Sequence, residues 1–256
     1  MEKAAGNTMM ELRNLTVGYH SGRNRRRVVV ENLCGSVESN RLTCLMGRNG
    51  TGKSTLLRTM AALQEPLGGE VLAAEGDGGS LRSLHGLAPA LRAKLVSVVL
   101  TGRVGNVRFT VRDIVAMGRT PYTGFFGILS ADDRRMVDEA IGMVGMERLA
   151  DRLIGTLSDG ERQKVMIARA LAQQTPVMML DEPTAFLDYP GRIEMMRLLR
   201  SLAHDHGKTI FLSTHDYEQA VAMADTIWLI SSPSDVAMGS PRQLLDAGVL
   251  QRYSGT

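Results

Sequence analysis

The chain has 256 residues, of which 44% are hydrophobic and 22% are charged, and its formal net charge is +3. This is the composition of an ordinary globular protein, and it excludes a low-complexity or disordered chain. The small net charge does not show whether the protein binds nucleic acid, a membrane surface or neither of them. No signal peptide and no uncharged apolar run of roughly 18 residues is evident, so we expect a protein that is soluble by itself. Cys34 and Cys44 lack metal-ligand spacing, and we expect both to be buried, reduced thiols.

β-Strands are the first elements predicted along the chain. Apolar and polar residues alternate over residues 9–17, and strand character resumes over 27–33 after an arginine-rich turn that contains Gly22 and Arg23. The two segments predict a small antiparallel sheet. Tyr19 lies near the chain reversal, and from this residue alone a half-buried position at the sheet edge is favoured over a platform for a stacked base.

A glycine-rich stretch follows the apolar strand predicted at 42–46 and precedes a helix predicted at 55–63. It matches the phosphate-binding pattern G-x-x-x-x-G-K-[ST]. The matching residues are Gly47, Arg48, Asn49, Gly50, Thr51, Gly52, Lys53 and Ser54. Glycines allow several N–H groups to point at one phosphate, and the helix that starts near Thr55 adds a partial positive charge. Lys53 would contact the β- and γ-phosphates and Ser54 would ligate Mg²⁺, so the stretch predicts binding of a nucleoside triphosphate.

The residue pattern changes in the middle of the chain. Residues 64–93 are rich in glycine and predict turns, and 95–100 predict a buried strand that ends at Thr101. Apolar residues at three- and four-residue spacing then predict helices at 111–117 and 132–144. We therefore expect a helical subdomain inserted at about residues 102–160 of a single domain that spans residues 1–256.

Two neighbouring carboxylates mark the next strand. Ser158 and Glu161 form a capping box that opens a helix to about residue 173, and an apolar strand at 177–180 ends in Asp181 and Glu182. Adjacent carboxylates at the end of a buried strand are costly unless they have a function, and open α/β sheets bind ligands at that end. With a phosphate-binding loop upstream, the pair fits a Mg²⁺-binding Asp followed by a catalytic Glu.

The last third of the chain alternates helices and strands. A helix is predicted at 191–206, strands at 209–213 and 227–230, and a final helix at 241–253. His215 follows the first of these strands. A lone histidine after a strand is usually structural, but this one lies at the strand end where the phosphate is expected.

Five motifs, in this order, resemble those of the ATP-binding cassette (ABC) ATPases over nearly the whole chain. They lie at residues 47–54, 157–163, 177–182, 185–188 and 215. The resemblance implies an α/β fold: a P-loop NTPase core with a mostly parallel sheet, an N-terminal antiparallel β subdomain and an inserted helical subdomain. It also implies a Mg²⁺-dependent ATPase in which Lys53, Glu182 and His215 are catalytic and Ser54 and Asp181 hold the metal.

The resemblance further implies a head-to-tail homodimer. Each ATP would lie between residues 47–54 of one subunit and Ser158, Asp159 and Gly160 of the other. Tyr19 becomes the adenine-stacking aromatic, His215 the residue that senses the γ-phosphate, and Asp188 the loop residue that couples the two subunits.

Two positions depart from the family pattern. Asp159 stands where the family usually has Gly, beside Glu161 where Gln is frequent, and Thr101 stands where a Gln is expected to contact Mg²⁺ and the attacking water. A carboxylate at Asp159 would repel the partner's ATP, which would weaken the ATP-driven dimer. The alternative for Asp159 is a side chain that turns to solvent and caps its helix.

Residues 110–122 resemble a segment of the ATPases of ferric-siderophore, haem and cobalamin importers. This implies a peripheral protein at the cytoplasmic face of the membrane, bound to integral permease subunits and indirectly to a substrate-binding protein, with no nucleic-acid partner. We expect docking through residues 117–127, with charge reversal at Arg119 weakening assembly but not basal ATPase activity. The alternative function is a soluble ABC ATPase of iron–sulfur cluster assembly.

Overall fold

Two β-sheets organise the part of the chain that this computed structural model describes, which is residues 8–21, 25–102, 108–124 and 126–254. The strands are β1 (Thr8–Ser21), β2 (Arg25–Glu38), β3 (Leu42–Gly47), β4 (Gly68–Ala73), β5 (Arg82–Ser83), β6 (Val96–Val99), β7 (Val177–Asp181), β8 (Thr209–Ser213), β9 (Thr226–Ser232) and β10 (Asp235–Gly239). The α-helices are α1 (Lys53–Met60), α2 (Pro89–Leu95), α3 (Val111–Ala116), α4 (Ala131–Met143), α5 (Asp159–Ala172), α6 (Tyr189–His204), α7 (Tyr217–Met223), α8 (Pro241–Asp246) and α9 (Val249–Ser254).

The first sheet is antiparallel and the second is mostly parallel. The strand orders are β2-β1-β4-β5 and β10-β9-β3-β8-β7-β6. In the second sheet β3 runs parallel to β8 and β9, β7 runs parallel to β6 and β8, and only the edge strand β10 is antiparallel. This architecture confirms the predicted fold class. It also brings the ends of β3, β6, β7 and β8 to one edge, where the phosphate-binding loop begins.

The central sheet is buried on both faces, and alternate residues of each strand point into different cores. Leu45 packs on the side of the antiparallel sheet and α1, together with Phe211 and Trp228, whose rings meet edge to face at 5.2 Å. Cys44 and Met46 point to the opposite core, which helices α3 to α9 cover. This double burial explains why the strands are almost continuously apolar in sequence.

Helices α3, α4 and α5 pack together, and their buried side chains continue the core on the helical face of the central sheet. A capping box fixes the start of each: Thr110 with Asp113 opens α3, Ser130 with Asp133 opens α4, and Ser158 with Glu161 opens α5. Gly118 lies so close to α5 that a Cβ atom there would be 2.2 Å from the Arg169 carbonyl oxygen. Helices α3 and α4 fall within the predicted subdomain, whose limits of 102–160 remain a prediction, whereas α5 begins at its end and extends beyond it.

The structure corrects several predicted elements. The stretch at 64–93 is not only turns, because Gly68 and Gly69 begin strand β4 and helix α2 precedes β6. Helix α1 starts at Lys53 and ends at Met60 rather than at residue 63, since Ala62 takes a left-handed φ of 53°. The predicted C-terminal helix is two helices, separated at Gly248 with a φ of 66°.

Other predictions concern exposure. Cys44 is buried as expected, but Cys34 is exposed, so the expectation that both thiols are buried is wrong for Cys34. The turn residues Gly22 and Arg23, residues 103–107 of the predicted subdomain and Phe125 of the predicted docking segment lie outside the described residues. Among the helices described, none has the length and apolar character needed to cross a membrane.

Candidate functional site

The phosphate-binding loop connects the end of β3 to α1. Gly47, Gly50 and Gly52 have φ values of 155°, 82° and 101°, which glycine adopts without strain. Gly52 also passes so close to β2 that a Cβ atom would lie 1.7 Å from Val29 Cγ1. No side chain caps α1, whose preceding residue is Gly52, so its first N–H groups are open to an anion.

Lys53 is folded back onto the loop that precedes it. Its side chain is only 6% exposed, and Nζ donates to the carbonyl oxygens of Gly47 at 2.9 Å and Arg48 at 3.4 Å. Glu182 Oε1 lies 3.9 Å from Nζ. Burial lowers the pKa of Lys53, while the negative charges of Glu182 and Asp181 oppose that shift. The backbone oxygens therefore hold the ammonium group in place near the position where a phosphate would bind.

The Asp181 carboxylate accepts hydrogen bonds from two hydroxyl groups of neighbouring elements. Asp181 Oδ1 accepts hydrogen bonds from Ser54 Oγ at 3.0 Å and from Ser213 Oγ at 2.7 Å. Asp181 and Ser213 are buried. The hydroxyl and carboxylate oxygens of Ser54 and Asp181 are the hard ligands that Mg²⁺ takes alongside phosphate oxygens. Ser213 was not identified from the sequence, and only its place at the end of an apolar strand could have suggested it.

Glu182 lies beside both a cation and a histidine. Its Oε2 is 3.0 Å from His215 Nδ1, and its backbone N–H donates to Ser213 Oγ at 2.9 Å. Its φ of 46° is left-handed, a conformation that residues other than glycine seldom adopt. Thr101, at the position where a Gln was expected, donates from Oγ1 to the Asp181 carbonyl oxygen at 2.6 Å.

A cleft of about 450 Å³ opens over the phosphate-binding loop. It is lined by Tyr19, Arg27, Val29, Asn49, Gly50, Gly52, Lys53, Ser54, Thr55 and Glu182. Tyr19 lies within β1, is 45% exposed and shares a 2.7 Å hydrogen bond between its hydroxyl and Thr55 Oγ1. Arg27 and Val29 were not identified from the sequence. A larger cleft, of about 610 Å³, opens at the opposite ends of the parallel strands and contains none of these residues.

The remaining candidates lie elsewhere. Ser158 caps α5 through the predicted capping box, with Glu161 N–H to Ser158 Oγ at 3.2 Å and Ser158 N–H to Glu161 Oε2 at 2.8 Å. The Glu161 carboxylate accepts hydrogen bonds from the Ser158 amide and hydroxyl, and these lower the pKa of Glu161. Asp188 caps α6 by accepting from the Gly191 N–H at 3.0 Å. Neither Ser158, Asp159, Gly160 nor Asp188 lines the cleft over the phosphate-binding loop.

Asp159 does not stand alone at the start of α5. Its carboxylate pairs with the guanidinium of Arg162, which also donates to the Leu157 carbonyl oxygen at 2.6 Å. The repulsion that Asp159 would exert on the partner's ATP is therefore weaker than that of an isolated carboxylate, because the positive charge of Arg162 lies one helical turn away. The alternative of an Asp159 that caps its helix is wrong, because Ser158 is the N-cap of α5 and the Asp159 carboxylate pairs with Arg162.

Comparison with known proteins places this site in a family. Residues 30–185 match the family model described as "ABC transporter". An ABC transporter ATP-binding protein of Methanocaldococcus jannaschii is 41% identical over 93% of this chain and 78% of its own length. The ferric enterobactin transport ATP-binding protein of Escherichia coli K12 is 35% identical over 94% of this chain and 85% of its own length.

Solved structures agree with this. A metal-chelate type ABC transporter in an inward-facing conformation has a TM-score of 0.78 at 26% identity, covering 96% of this chain and 90% of that chain. An ATP-binding cassette, solved as a dimer in a post-hydrolysis state with ADP and Pi, has a TM-score of 0.72 at 26% identity. The match covers 91% of this chain and 99% of that chain. The chain therefore belongs to the ABC transporter family and is one of its ATP-binding cassettes, an ATPase subunit with the P-loop fold.

Proposed function

We propose that this chain drives the import of an iron–siderophore, haem or cobalamin-type substrate by hydrolysing ATP at the cleft over the phosphate-binding loop. The Escherichia coli relative is named for ferric enterobactin transport, which supports this substrate class, as does the importer-like segment at 110–122. The relatives reported above are named for transport and give no support to the iron–sulfur assembly alternative.

The observation that carries the proposal is the convergence of Lys53, Ser54, Asp181, Glu182 and His215 at one edge of the central sheet. Lys53 and the loop amides bind the phosphates. Ser54 and Asp181 hold Mg²⁺, which when bound neutralises phosphate charge. Glu182 takes the proton of the attacking water or orients that water, and His215 stabilises charge at the γ-phosphate.

The nucleotide is bound by two copies of the chain arranged head to tail. Tyr19 stacks on the adenine of its own subunit, and Ser158, Asp159 and Gly160 of the second copy cover the phosphates. Their absence from the cleft of their own chain supports this arrangement, as does the related cassette solved as a dimer. Asp188, at the start of α6, couples the two copies.

Membrane subunits dock on the segment at 117–127 and its surroundings. Exposed apolar side chains cluster here along the chain, with Phe126 85% exposed and Met117 and Ile128 also exposed. A segment of a permease that inserts apolar side chains would bury them. The protein would then lie at the cytoplasmic face of the membrane as a peripheral subunit, contacting a substrate-binding protein only through the permease and making no use of nucleic acid.

Arg119 is a poor probe of this docking surface, which corrects the choice made from the sequence. It is only 7% exposed, its Nε donates to Asp133 at 2.8 Å, and one terminal nitrogen donates to the Ala172 carbonyl oxygen at 2.7 Å. Tyr122 likewise donates to the Gln173 carbonyl oxygen at 3.0 Å. The docking segment is thus fastened to the C-terminus of α5, the helix that begins at the residues facing the partner's ATP. A movement of the docked segment would be transmitted along α5.

The proposal is tested by purifying the chain and measuring ATP hydrolysis with and without Mg²⁺. We expect Mg²⁺-dependent turnover that is lost in Lys53→Ala, because that variant should no longer bind ATP. Recovery of the full-length chain from native membranes should bring an integral membrane protein with it. Hydrolysis that needs neither Mg²⁺ nor Lys53 would contradict the assigned site, and copurification with soluble proteins alone would contradict the importer role.

A further inference from the structure

The peptide group between Asp181 and Glu182 is held on both sides by hydroxyl groups. Its carbonyl oxygen accepts a hydrogen bond of 2.6 Å from Thr101 Oγ1. Its N–H, which belongs to Glu182, donates a hydrogen bond of 2.9 Å to Ser213 Oγ. Thr101 is 80 residues from Asp181 in sequence and Ser213 is 31 residues from Glu182, so the contacts exist only in the folded protein.

The order of strands explains this arrangement. Strand β7 lies between β6 and β8, and the last paired positions are Val99 with Leu180 on one side and Asp181 with Ser213 on the other. In an extended strand the C=O and N–H of one peptide point to opposite neighbours. Strand β6 ends before it can offer a backbone donor to the Asp181 carbonyl, and the Thr101 hydroxyl supplies that donor instead. Ser213 supplies the acceptor on the β8 side.

The backbone at this point needs such support. Glu182 has a left-handed φ of 46°, and residues other than glycine keep such a conformation only when their surroundings hold it. The rotation of this peptide decides where the Glu182 carboxylate points. In the structure it points to His215 Nδ1, 3.0 Å away, and towards Lys53 Nζ, 3.9 Å away.

We propose that Thr101 is a positioning residue for the Glu182 carboxylate, and that it acts by fixing the Asp181–Glu182 peptide from the side opposite Ser213. The proposal rests on the proposed function, in which Glu182 activates the attacking water. Thr101 donates its hydrogen bond to the Asp181 carbonyl oxygen, and it affects the reaction only through the orientation of the Glu182 carboxylate. This differs from the role expected at this position, where a Gln side chain would itself contact Mg²⁺ and water. Thr101 is therefore required for the rate of the chemical step and dispensable for binding of the nucleotide.

The test compares variants that keep or remove the hydroxyl. Thr101→Val keeps the shape of the side chain and loses the donor, whereas Thr101→Ser keeps the donor. We expect Thr101→Val to lower kcat about tenfold, the rate equivalent of one lost hydrogen bond, with an unchanged affinity for a fluorescent ATP analogue. Thr101→Ser should restore kcat to near the wild-type value. Ser213→Ala should lower kcat and also raise the Mg²⁺ concentration needed, because Ser213 bonds to the Asp181 carboxylate as well.

Thr175 provides a matched control at the other end of β7. Its hydroxyl bonds to the Val177 carbonyl oxygen at 2.9 Å and to Ser97 Oγ at 2.8 Å, far along the strand from Glu182. Thr175→Val removes a comparable hydroxyl from the same sheet, and we expect it to lower thermal stability without changing kcat. An equal fall in kcat in Thr175→Val and Thr101→Val would indicate a general effect on the sheet and would overturn the proposal.

Glu182→Gln separates this inference from the function on which it rests. If Glu182→Gln is inactive while Thr101→Val turns over at the wild-type rate, or while Thr101→Ser is as slow as Thr101→Val, the positioning role is wrong and the proposed function stands. If Glu182→Gln hydrolyses ATP at the wild-type rate, the role of Glu182 is wrong and the positioning role falls with it. Both the positioning role and the proposed function are supported if Glu182→Gln is inactive, Thr101→Val has a lowered kcat, and Thr101→Ser has a kcat near the wild-type value.

Discussion

Ser54 and Asp181 are hydrogen-bonded to each other, with the Ser54 hydroxyl donating to Asp181 Oδ1 at 3.0 Å. The two oxygens proposed to hold Mg²⁺ therefore lie close enough together to bind one ion. Lys53, in the same loop, is satisfied by the Gly47 and Arg48 carbonyl oxygens. In the proposed function, Ser54 and Asp181 would turn their side-chain oxygens to Mg²⁺, and Lys53 would turn its ammonium group to the phosphates.

Ser54→Ala should weaken the use of Mg²⁺. The variant removes one oxygen ligand and leaves Asp181 with its bond to Ser213. We expect the Mg²⁺ concentration for half-maximal ATP hydrolysis to rise about tenfold, since the remaining ligands must hold a cation that dehydrates reluctantly. A titration of ATPase activity with Mg²⁺ measures this shift. An unchanged midpoint would show that Ser54 is not a metal ligand.

Glu182→Gln should bind ATP and fail to hydrolyse it. The amide cannot take a proton from water, and loss of a general base lowers rates by roughly 10²–10⁴-fold. ATP would then remain bound between two copies of the chain, and static light scattering should report an ATP-dependent dimer. A monomer in saturating ATP would argue against the head-to-tail arrangement, whereas normal turnover would argue against Glu182 as the base.

Asp159→Gly should strengthen the ATP-driven dimer, but less than an isolated carboxylate would suggest. Because Arg162 pairs with Asp159, the substitution removes a partly neutralised charge and releases the guanidinium towards the partner's phosphates. An exposed pair of this kind contributes about 0–1 kcal/mol, so we expect no more than about a fivefold change in the dimerisation constant. The measurement is light scattering in the Glu182→Gln background. Asp159→Asn serves as the control for the added backbone freedom of glycine, and an unchanged constant in both variants would contradict the role of this charge.

Asp133→Asn should cost stability in a pH-dependent way. Hydrogen bonds from the Ser130 hydroxyl and amide, and then from Arg119, lower the pKa of Asp133 to about 2. Because this folded-state pKa lies below the unfolded value of about 3.9, the stabilisation is fully present above about pH 4 and is lost as the pH falls towards 2. Urea denaturation should therefore show wild type more stable than Asp133→Asn by about 3–5 kcal/mol at neutral pH, since Arg119 is left buried and unpaired. A difference that stayed constant down to about pH 2 would contradict this assignment.

Phe126→Ser should weaken assembly with the permease and leave the ATPase of the isolated chain intact. Its side chain is 85% exposed, so we expect the substitution to leave no cavity in the isolated chain and to remove apolar surface that docking would bury. Copurification from membranes and basal ATPase activity measure the two effects. Arg119→Glu is the contrasting variant, because it breaks a buried ion pair and should lower thermal stability as well as assembly. If a folded Phe126→Ser variant copurified with the permease as fully as the wild type, the docking surface would lie elsewhere on the chain.

Local patterns determined what the sequence revealed. The phosphate-binding loop, the capping box of Ser158 with Glu161 and the strand that ends in Asp181 and Glu182 each depend on residues within a few positions of one another. Their geometry follows from backbone preferences and side-chain reach along a single helix or strand. The sequence of the glycine-rich stretch at 64–93 does not reveal β4, because the two glycines that begin this strand are equally compatible with a turn.

Tertiary structure alone decided which distant residues meet. Thr101 and Ser213 reach the Asp181–Glu182 peptide because β6, β7 and β8 are neighbours, and strand order is not encoded in the spacing of residues along the chain. The burial of Arg119 depends on helix packing around it, where Asp133 and the Ala172 carbonyl together offset the desolvation of its charge. A single sequence gives residue types and local periodicity, whereas hydrogen bonds between elements depend on how those elements are placed in space. For this reason the candidate residues of the site can be recognised from the sequence, whereas the residues that hold them in position cannot.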